Sequence, residues 1–194
     1  MYRLVVLAGG GGTNFQAILD AIKHDAFPAT VSLVISDRPG AGVLLRASRE
    51  GIPAMVIDRK EHGTALSDRI LHTIPADTDL IVLAGFLSIL KGELLERYNG
   101  RIINLHPSLL PRHGGAGMYG IHVHRAVINA GDTESGCTVH YVDGGTDTGP
   151  VILQRRVPVL SMDTPESLAA RIAPVEHEAL VAGIRRALGM TADY

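Results

Sequence analysis

The feature that most constrains this chain is a rhythm. Short aliphatic, β-branched runs alternate with segments whose apolar residues recur every three or four positions. "RLVVLA" (3–8), "TVSLVIS" (30–36), "AMVID" (54–58), "LIVLA" (80–84) and "RIINL" (101–105) read as strands. They are near-continuous in apolar character rather than alternating, as strands covered on both faces should be. Between the first two, "TNFQAILDAIKHDA" (13–26) sets Phe15, Ile18, Leu19 and Ile22 at i, i+3, i+4 and i+7, the pattern of an amphipathic helix. "GVLLRASREG" (42–51), closed by Gly51 as a C′ glycine, "TALSDRILHTI" (64–74) and "KGELLERY" (91–98) supply three more helices. Such βαβα alternation argues for a parallel, doubly wound sheet.

After residue 120 the rhythm changes. "HVHRAVINAG" reads as a helix, then "GCTVHYV" (136–142) and "PVILQRRVPV" (150–159) as two strands joined by a Gly-rich loop. A final helix follows "DTPES", with Ser161 or Asp163 as its cap and Pro165 near its first position. Leu168, Ile172, Val175, Ala179 and Leu180 would form its buried stripe. The expected fold is therefore one α/β domain over 1–194: a Rossmann-like, mostly parallel twisted sheet with helices on both faces and an extension at one edge.

Composition removes several classes of function. Hydrophobic residues make up 46% of the 194 and mean hydropathy is +0.18, enough for a sizeable core. The net charge of −2, with no basic block, argues against a nucleic-acid surface. The most apolar run, Leu80 to Leu90, is too short to span a membrane. A single cysteine, Cys137, excludes an intramolecular disulfide and fits a reducing cytoplasm. The first strand starts almost at the N-terminus, so no signal peptide is expected. A soluble intracellular domain is the expectation, and the sequence leaves a homodimer open.

Two stretches carry chemistry. "AGGGGTNFQ" (8–16) joins the first strand to the first helix, where glycines let backbone N–H groups approach an anion and the helix dipole helps. Thr13 and Asn14 are good caps and can lend side-chain donors. The dinucleotide fingerprint fails here, meeting Asn14 or Phe15 at its third glycine, and no lysine makes a Walker loop. Asp37, ending the second strand, keeps a ribose contact to a nicotinamide cofactor conceivable, but a monophosphate fits the loop better.

The second stretch is "NLHPSLLP" (104–111). Asn104 and His106 are two apart at the end of an extended run, so they project together, just before Pro107 stops the ladder. Both belong at the carboxyl edge of the sheet, where ligands bind in such folds. An amide and an imidazole there can hold an oxyanion. "TVHYVDGGTDTGPVILQ" (138–154) adds Asp143 and Asp147, either of which could orient the imidazole. Among nine histidines, "HVH" suggests a metal pair, but it opens a helix, where i and i+2 do not share a face. No metal is expected.

"NLHPSLLP", "TVHYVDGGTDTGPVILQ" and "GGGGTNFQ" together resemble the folate-dependent formyltransferases, over residues 3 to about 180. The resemblance implies the formyltransferase fold, with about 1–100 as a phosphate- and nucleotide-binding half and about 101–194 as a catalytic and folate-binding half. It implies a transferase of one-carbon groups in purine biosynthesis, with 10-formyltetrahydrofolate as formyl donor and the amine of glycinamide ribonucleotide as acceptor. Asn104, His106 and Asp147 match the family's catalytic triad, which selects Asp147 over Asp143. Gly11, Gly12, Thr13 and Asn14 match its phosphate loop, and Glu176 a ribose-contacting glutamate. Phe86, Leu87, Ser88, Ile89 and Leu90, with Tyr141, Val142, Asp143, Gly144, Gly145 and Thr146, match its folate pocket. Relatives also carry a cis bond at the position of Leu110–Pro111. Two positions depart: Ser88 stands where many members have arginine, and Ala173 where many have a polar or basic residue. Alternatives are a relative that formylates another phosphate-bearing amine, a nicotinamide-dependent oxidoreductase, and a non-catalytic module binding a phosphorylated ligand.

Overall fold

The computed structural model describes residues 1–24 and 27–190. Among these residues seven strands form one sheet in the order β3-β2-β1-β4-β5-β6-β7. They are β1 (Tyr2–Leu7), β2 (Ala29–Ser36), β3 (Ala54–Val56), β4 (Leu80–Leu83), β5 (Ile102–His106), β6 (Glu134–Tyr141) and β7 (Val151–Pro158). The first five run parallel, while β6 and β7 run antiparallel to their neighbours. The α/β class, the doubly wound parallel sheet and the edge extension are as the sequence pattern implies.

Strand alternation divides the core in two. Leu4 and Val6 of β1 enter one apolar cluster, Val5 and Leu7 the other. The first cluster is covered by α1 (Thr13–Lys23), α2 (Gly42–Arg49) and the long α7 (Pro165–Ala187), the second by α4 (Leu66–Thr73) and α5 (Glu93–Arg97). Phe15, Ile18 and Leu19 of α1 are buried, with Ile22 packed at the margin, as their spacing requires. On α7, Leu168, Ile172, Ala179 and Leu180 are fully buried and Val175 half-buried. Between β3 and α4 run a short helix, α3 (Arg59–His62), and a 3₁₀ turn at Gly63–Ala65. α6 (Ile121–Asn129) connects β5 to β6.

Several local expectations need correction. β3 is an exposed edge strand rather than one covered on both faces. α7 is capped by Thr164, not by Ser161 or Asp163: its hydroxyl accepts from the Ser167 N–H, and Ser167 Oγ accepts from the Thr164 N–H. Asp163 is instead held by Arg171. α1 begins after Gly12, which takes φ 79° as N-cap with no side-chain cap, so neither Thr13 nor Asn14 serves there. The end of that helix expected at Asp25 and Ala26, like the last four residues of the chain, lies outside the described residues.

Candidate active site

A cleft of about 560 Å³ opens at the carboxyl edge of the parallel strands, within the usual range for small-molecule sites. Its floor is polar. Leu83 of β4 pairs with Asn104 of β5, and Asn104 pairs in turn with His140 of the antiparallel β6. This register brings an amide and an imidazole side by side, and Asn104 Nδ2 donates to His140 Nε2 at 3.1 Å. His140 Nδ1 donates to the Tyr141 carbonyl at 2.8 Å, and its Nε2 also lies 3.6 Å from Asp147 Oδ1. The Asn104 amide keeps a second N–H to give.

His106 closes β5 and is almost completely buried. Its Nε2 donates to the His113 carbonyl at 2.8 Å, and its Nδ1 lies 3.4 Å from Asp147 Oδ2. Both ring nitrogens thus face acceptors, an environment that suits imidazolium. Burial pulls the His106 pKa below its ordinary value, against the opposing pull of the Asp147 carboxylate and the His113 oxygen. For Asp147, burial pushes the pKa up, but His140, the Gly115 N–H (2.9 Å) and His106 outweigh it, so the carboxyl stays below the usual range. Asp143 is engaged elsewhere: it accepts from the Gly145 N–H at 3.0 Å and from Thr148 Oγ1 at 2.6 Å. The structure sets Asp147, not Asp143, beside the imidazole.

The turn after β5 is fixed by one hydroxyl. Thr138 Oγ1 donates to the Ser108 carbonyl (2.7 Å) and accepts from the Leu110 N–H (3.0 Å) and Gln154 Nε2 (2.9 Å), which uses its whole hydrogen-bonding capacity. The Leu110–Pro111 bond within it is cis.

At the other end of the cleft lie Asn14 and Glu176. Burial pushes Glu176 up to about 7, against a smaller opposing effect of its hydrogen bond with the Asn14 side chain. Gly11, Gly12 and Thr13 sit one step outside the cleft wall, at the start of α1, whose first N–H groups have no intrahelical acceptor. Arg38 Nε donates to the Gly9 carbonyl and Arg46 Nε to that of Gly11 (2.8 Å), so two guanidiniums flank the loop. An anion at the helix N-terminus would meet free N–H groups and positive charge together.

Of the expected folate residues, Phe86, Leu87, Ser88, Ile89 and Leu90 line the cleft from one side and Val142, Asp143, Gly145 and Thr146 from another. Leu87 and Ile89 are exposed at its mouth. Two expected residues do not line it. Strand alternation turns Tyr141 away from the His140 face into the core, and Gly144 sits exposed in the loop. Asp37 is also ruled out as a ribose ligand: it is fully buried, accepts from Ser88 Oγ at 2.5 Å and faces Arg59 at 3.5 Å. His122 is exposed while His124 is buried in the cleft wall, so the "HVH" pair does share no face. Sequence reasoning missed His140 as a member of the polar floor, and Met118 and Tyr119 in the cleft wall. The signal for His140 was the antiparallel pairing of β5 with β6, which no local pattern prints.

A model of the family described as formyl transferase matches residues 2–184. The chain is 36% identical to phosphoribosylglycinamide formyltransferase of Bacillus subtilis over 98% of its own length and 96% of the relative's. It is 42% identical to the trifunctional purine biosynthetic protein adenosine-3 of Drosophila melanogaster, covering 90% of this chain but only 13% of that much longer protein. The crystal structure of glycinamide ribonucleotide transformylase 1 from Geobacillus kaustophilus superposes with a TM-score of 0.89 at 45% identity, over 97% of this chain and 100% of that one.

Proposed function

Because the chain belongs to the formyl transferase family, we propose that it is a phosphoribosylglycinamide formyltransferase, moving the formyl group of 10-formyltetrahydrofolate to the primary amine of glycinamide ribonucleotide. The observation that carries this reading is the polar floor of the cleft, lined together by Asn104, His106 and Asp147, with His106 Nδ1 3.4 Å from Asp147 Oδ2 and Asn104 bonded to His140. Relatives of the same length as this chain bear that name, and the much longer trifunctional proteins match it over one segment only.

The donor fits the cleft chemically. Apolar walls from Phe86, Ile89 and Val142 can take a flat heterocycle, and the polar floor lies where a carbonyl oxygen would be held. When bound, 10-formyltetrahydrofolate supplies the formyl carbon. Asn104, with its spare N–H, and His106 are the donors for negative charge that grows on the formyl oxygen as the amine attacks. Asp147 favours the protonated His106 ring against burial and can hold a water that carries a proton from the amine toward the leaving nitrogen. The glycine loop from Gly11 to Asn14 would take the acceptor's phosphate, and Glu176 its ribose hydroxyls. The Ser88 hydroxyl is occupied by Asp37, so Ser88 would contribute a wall rather than a contact to the donor's charged tail.

The test is a direct assay. The pure protein, mixed with 10-formyltetrahydrofolate and glycinamide ribonucleotide, should change the folate absorbance only when both are present. Turnover with another phosphate-bearing amine but not with this one would move the assignment to a different acceptor. No turnover with any amine removes formyl transfer.

A further inference from the structure

Among the described residues, only two that are not glycine take positive φ: His113 at 54° and Asp147 at 58°. Both touch His106, one through its backbone carbonyl and the other through its carboxylate. Left-handed backbone is disfavoured for side-chain-bearing residues and persists where the surroundings impose it. For Asp147 the compensation is plain, since its carboxylate faces two imidazoles and accepts the Gly115 N–H. For His113 it comes from outside the site.

The His113 ring donates through Nε2 to Asp132 Oδ2 at 2.7 Å, and the neighbouring Arg112 donates to the other oxygen of the same carboxylate. Asp132 is itself anchored, following Gly131 just past the end of α6, with its N–H on the Val127 carbonyl at 3.3 Å. Its side chain is 9% exposed and that of His113 14%, so their pair is largely shielded from water, whereas Arg112 reaches in from the surface. One carboxylate therefore grips two consecutive residues of the loop after β5. Ser108 Oγ holds the same loop from beneath, donating to the Arg112 carbonyl at 2.7 Å. The next carbonyl along the loop, that of His113, is the acceptor for His106 Nε2.

We propose that Asp132 is a positioning residue: by gripping His113 and Arg112 it holds the His113 carbonyl against His106 Nε2, which fixes the ring with Nδ1 turned toward Asp147 and the cleft. The role in formyl transfer rests on the function proposed above, but the positioning itself does not. If Asp132 lets go, the loop can relax toward negative φ and the carbonyl swings away. His106 then loses one acceptor that favours its charged form. The groups facing His106 are Asp147 from the loop after β6, His140 from β6, His113 from its own loop and His124 from α6. Only the first is an anion, so losing the carbonyl leaves the imidazolium opposed by burial and three histidines.

The experiment is an NMR titration of the His106 ring in the ligand-free full chain, assigned by the resonance missing from His106→Asn. Asp132→Ala should lower the His106 pKa by at least half a unit. Asp132→Ser, too short to reach His113 yet polar enough for its place after α6, should do the same and serves if the alanine variant fails to fold. Asp132→Asn loses the charge but can still accept from His113, and it should titrate near the wild type. In the formyl-transfer assay, Asp132→Ala should lose about tenfold in kcat, with both KM values within about twofold. Its high-pH limb should move down with the measured pKa. A folded Asp132→Ala or Asp132→Ser with an unmoved His106 titration overturns the proposal. So does Asp132→Asn shifted as far as Asp132→Ala, which would show long-range charge rather than grip. Absent turnover with an intact titration shift would count against the function alone.

Discussion

The two ends of the cleft are built by opposite means. At the α1 end the groups offered to an anion are the backbone N–H groups of the glycine loop, set beside the Asn14 and Glu176 side chains that line the cleft. At the β5 end every working group is a side chain already locked by a partner: Asn104 by His140, His106 by the His113 carbonyl, Asp147 by Gly115. A backbone site recognises charge and tolerates imprecision, because several N–H groups share one anion. A side-chain site must place single atoms, so it depends on its supporting bonds. Binding and chemistry should therefore separate along the cleft, and mutations at the two ends should show up in different kinetic constants.

The largest effects are expected at the β5 end, in kcat. Asn104→Ala removes an oxyanion donor and should cost on the order of 10²–10³ in kcat. His106→Ala should cost at least as much, since it removes a donor and a positive charge. Asp147→Asn keeps the shape, and asparagine tolerates the left-handed backbone at this position. Activity should fall, and what remains should shift to lower pH. The sign follows from the carboxylate's effect on His106: it raises the imidazole pKa against burial, so without it the protonated form survives only at lower pH. Steady-state profiles of the three variants, with ligand affinities measured separately, check this. An Asp147→Asn enzyme with unchanged rate and profile would erase the contrast between the two ends.

The same contrast explains what could be read from the sequence. The strands and helices were legible because apolar period is a local signal, and the C-terminal lip of β5 was legible because Asn104 and His106 differ by two in an extended run. His140 was not. Its place beside Asn104 depends on β6 running antiparallel in one particular register, and the loop and helix between β5 and β6 say nothing of that register. The grip of Asp132 was hidden for a related reason: positive φ at a histidine leaves no mark in composition, and its partner is 19 residues away. Thr164 escaped because Ser161, Asp163 and Thr164 are all competent caps, and only the geometry chooses. Between Asp143 and Asp147 the bare sequence offered no choice either. Family likeness pointed to one and the structure sets that one against the imidazole.

At the α1 end the effect should appear in KM. Gly11 has open space where a side chain would project, whereas Gly12 combines φ 79° with Val43 Cα at 2.8 Å from the position of an added Cβ. Gly11→Asp should therefore leave the fold intact and place a carboxylate beside the phosphate. KM for the phosphorylated amine should rise on the order of tenfold, about 1.4 kcal/mol, while KM for the folate and kcat stay near wild type. Gly12→Ala, by contrast, should lose stability by roughly 1–3 kcal/mol before any binding effect can be read. Equal loss of both KM values in Gly11→Asp would mean that the loop serves the whole cleft and not one end of it.

The effect at Glu176 is one of stability. Burial raises its pKa from 4.5 to about 7, so the folded chain holds a proton that the unfolded chain releases. Below the unfolded value both states are protonated and the group costs nothing. As pH rises from about 4.5 toward 7 the unfolded state alone gains by ionising, and folding stability falls; above 7 the loss is complete. The ceiling is about 3–4 kcal/mol at 1.4 kcal/mol per pKa unit, and partial access to water through the cleft brings the real figure lower. Glu176→Gln stays neutral at every pH, so it should match wild-type stability near pH 4 and exceed it at pH 8, by denaturant midpoints at both. The same substitution should weaken the phosphorylated amine, because one carboxyl oxygen is replaced by an NH2 group that can only donate to the ribose hydroxyls. A variant less stable than wild type at pH 8 would show that Glu176 is ionised and held by unseen donors. The α1 end would then depend on locked side chains just as the β5 end does.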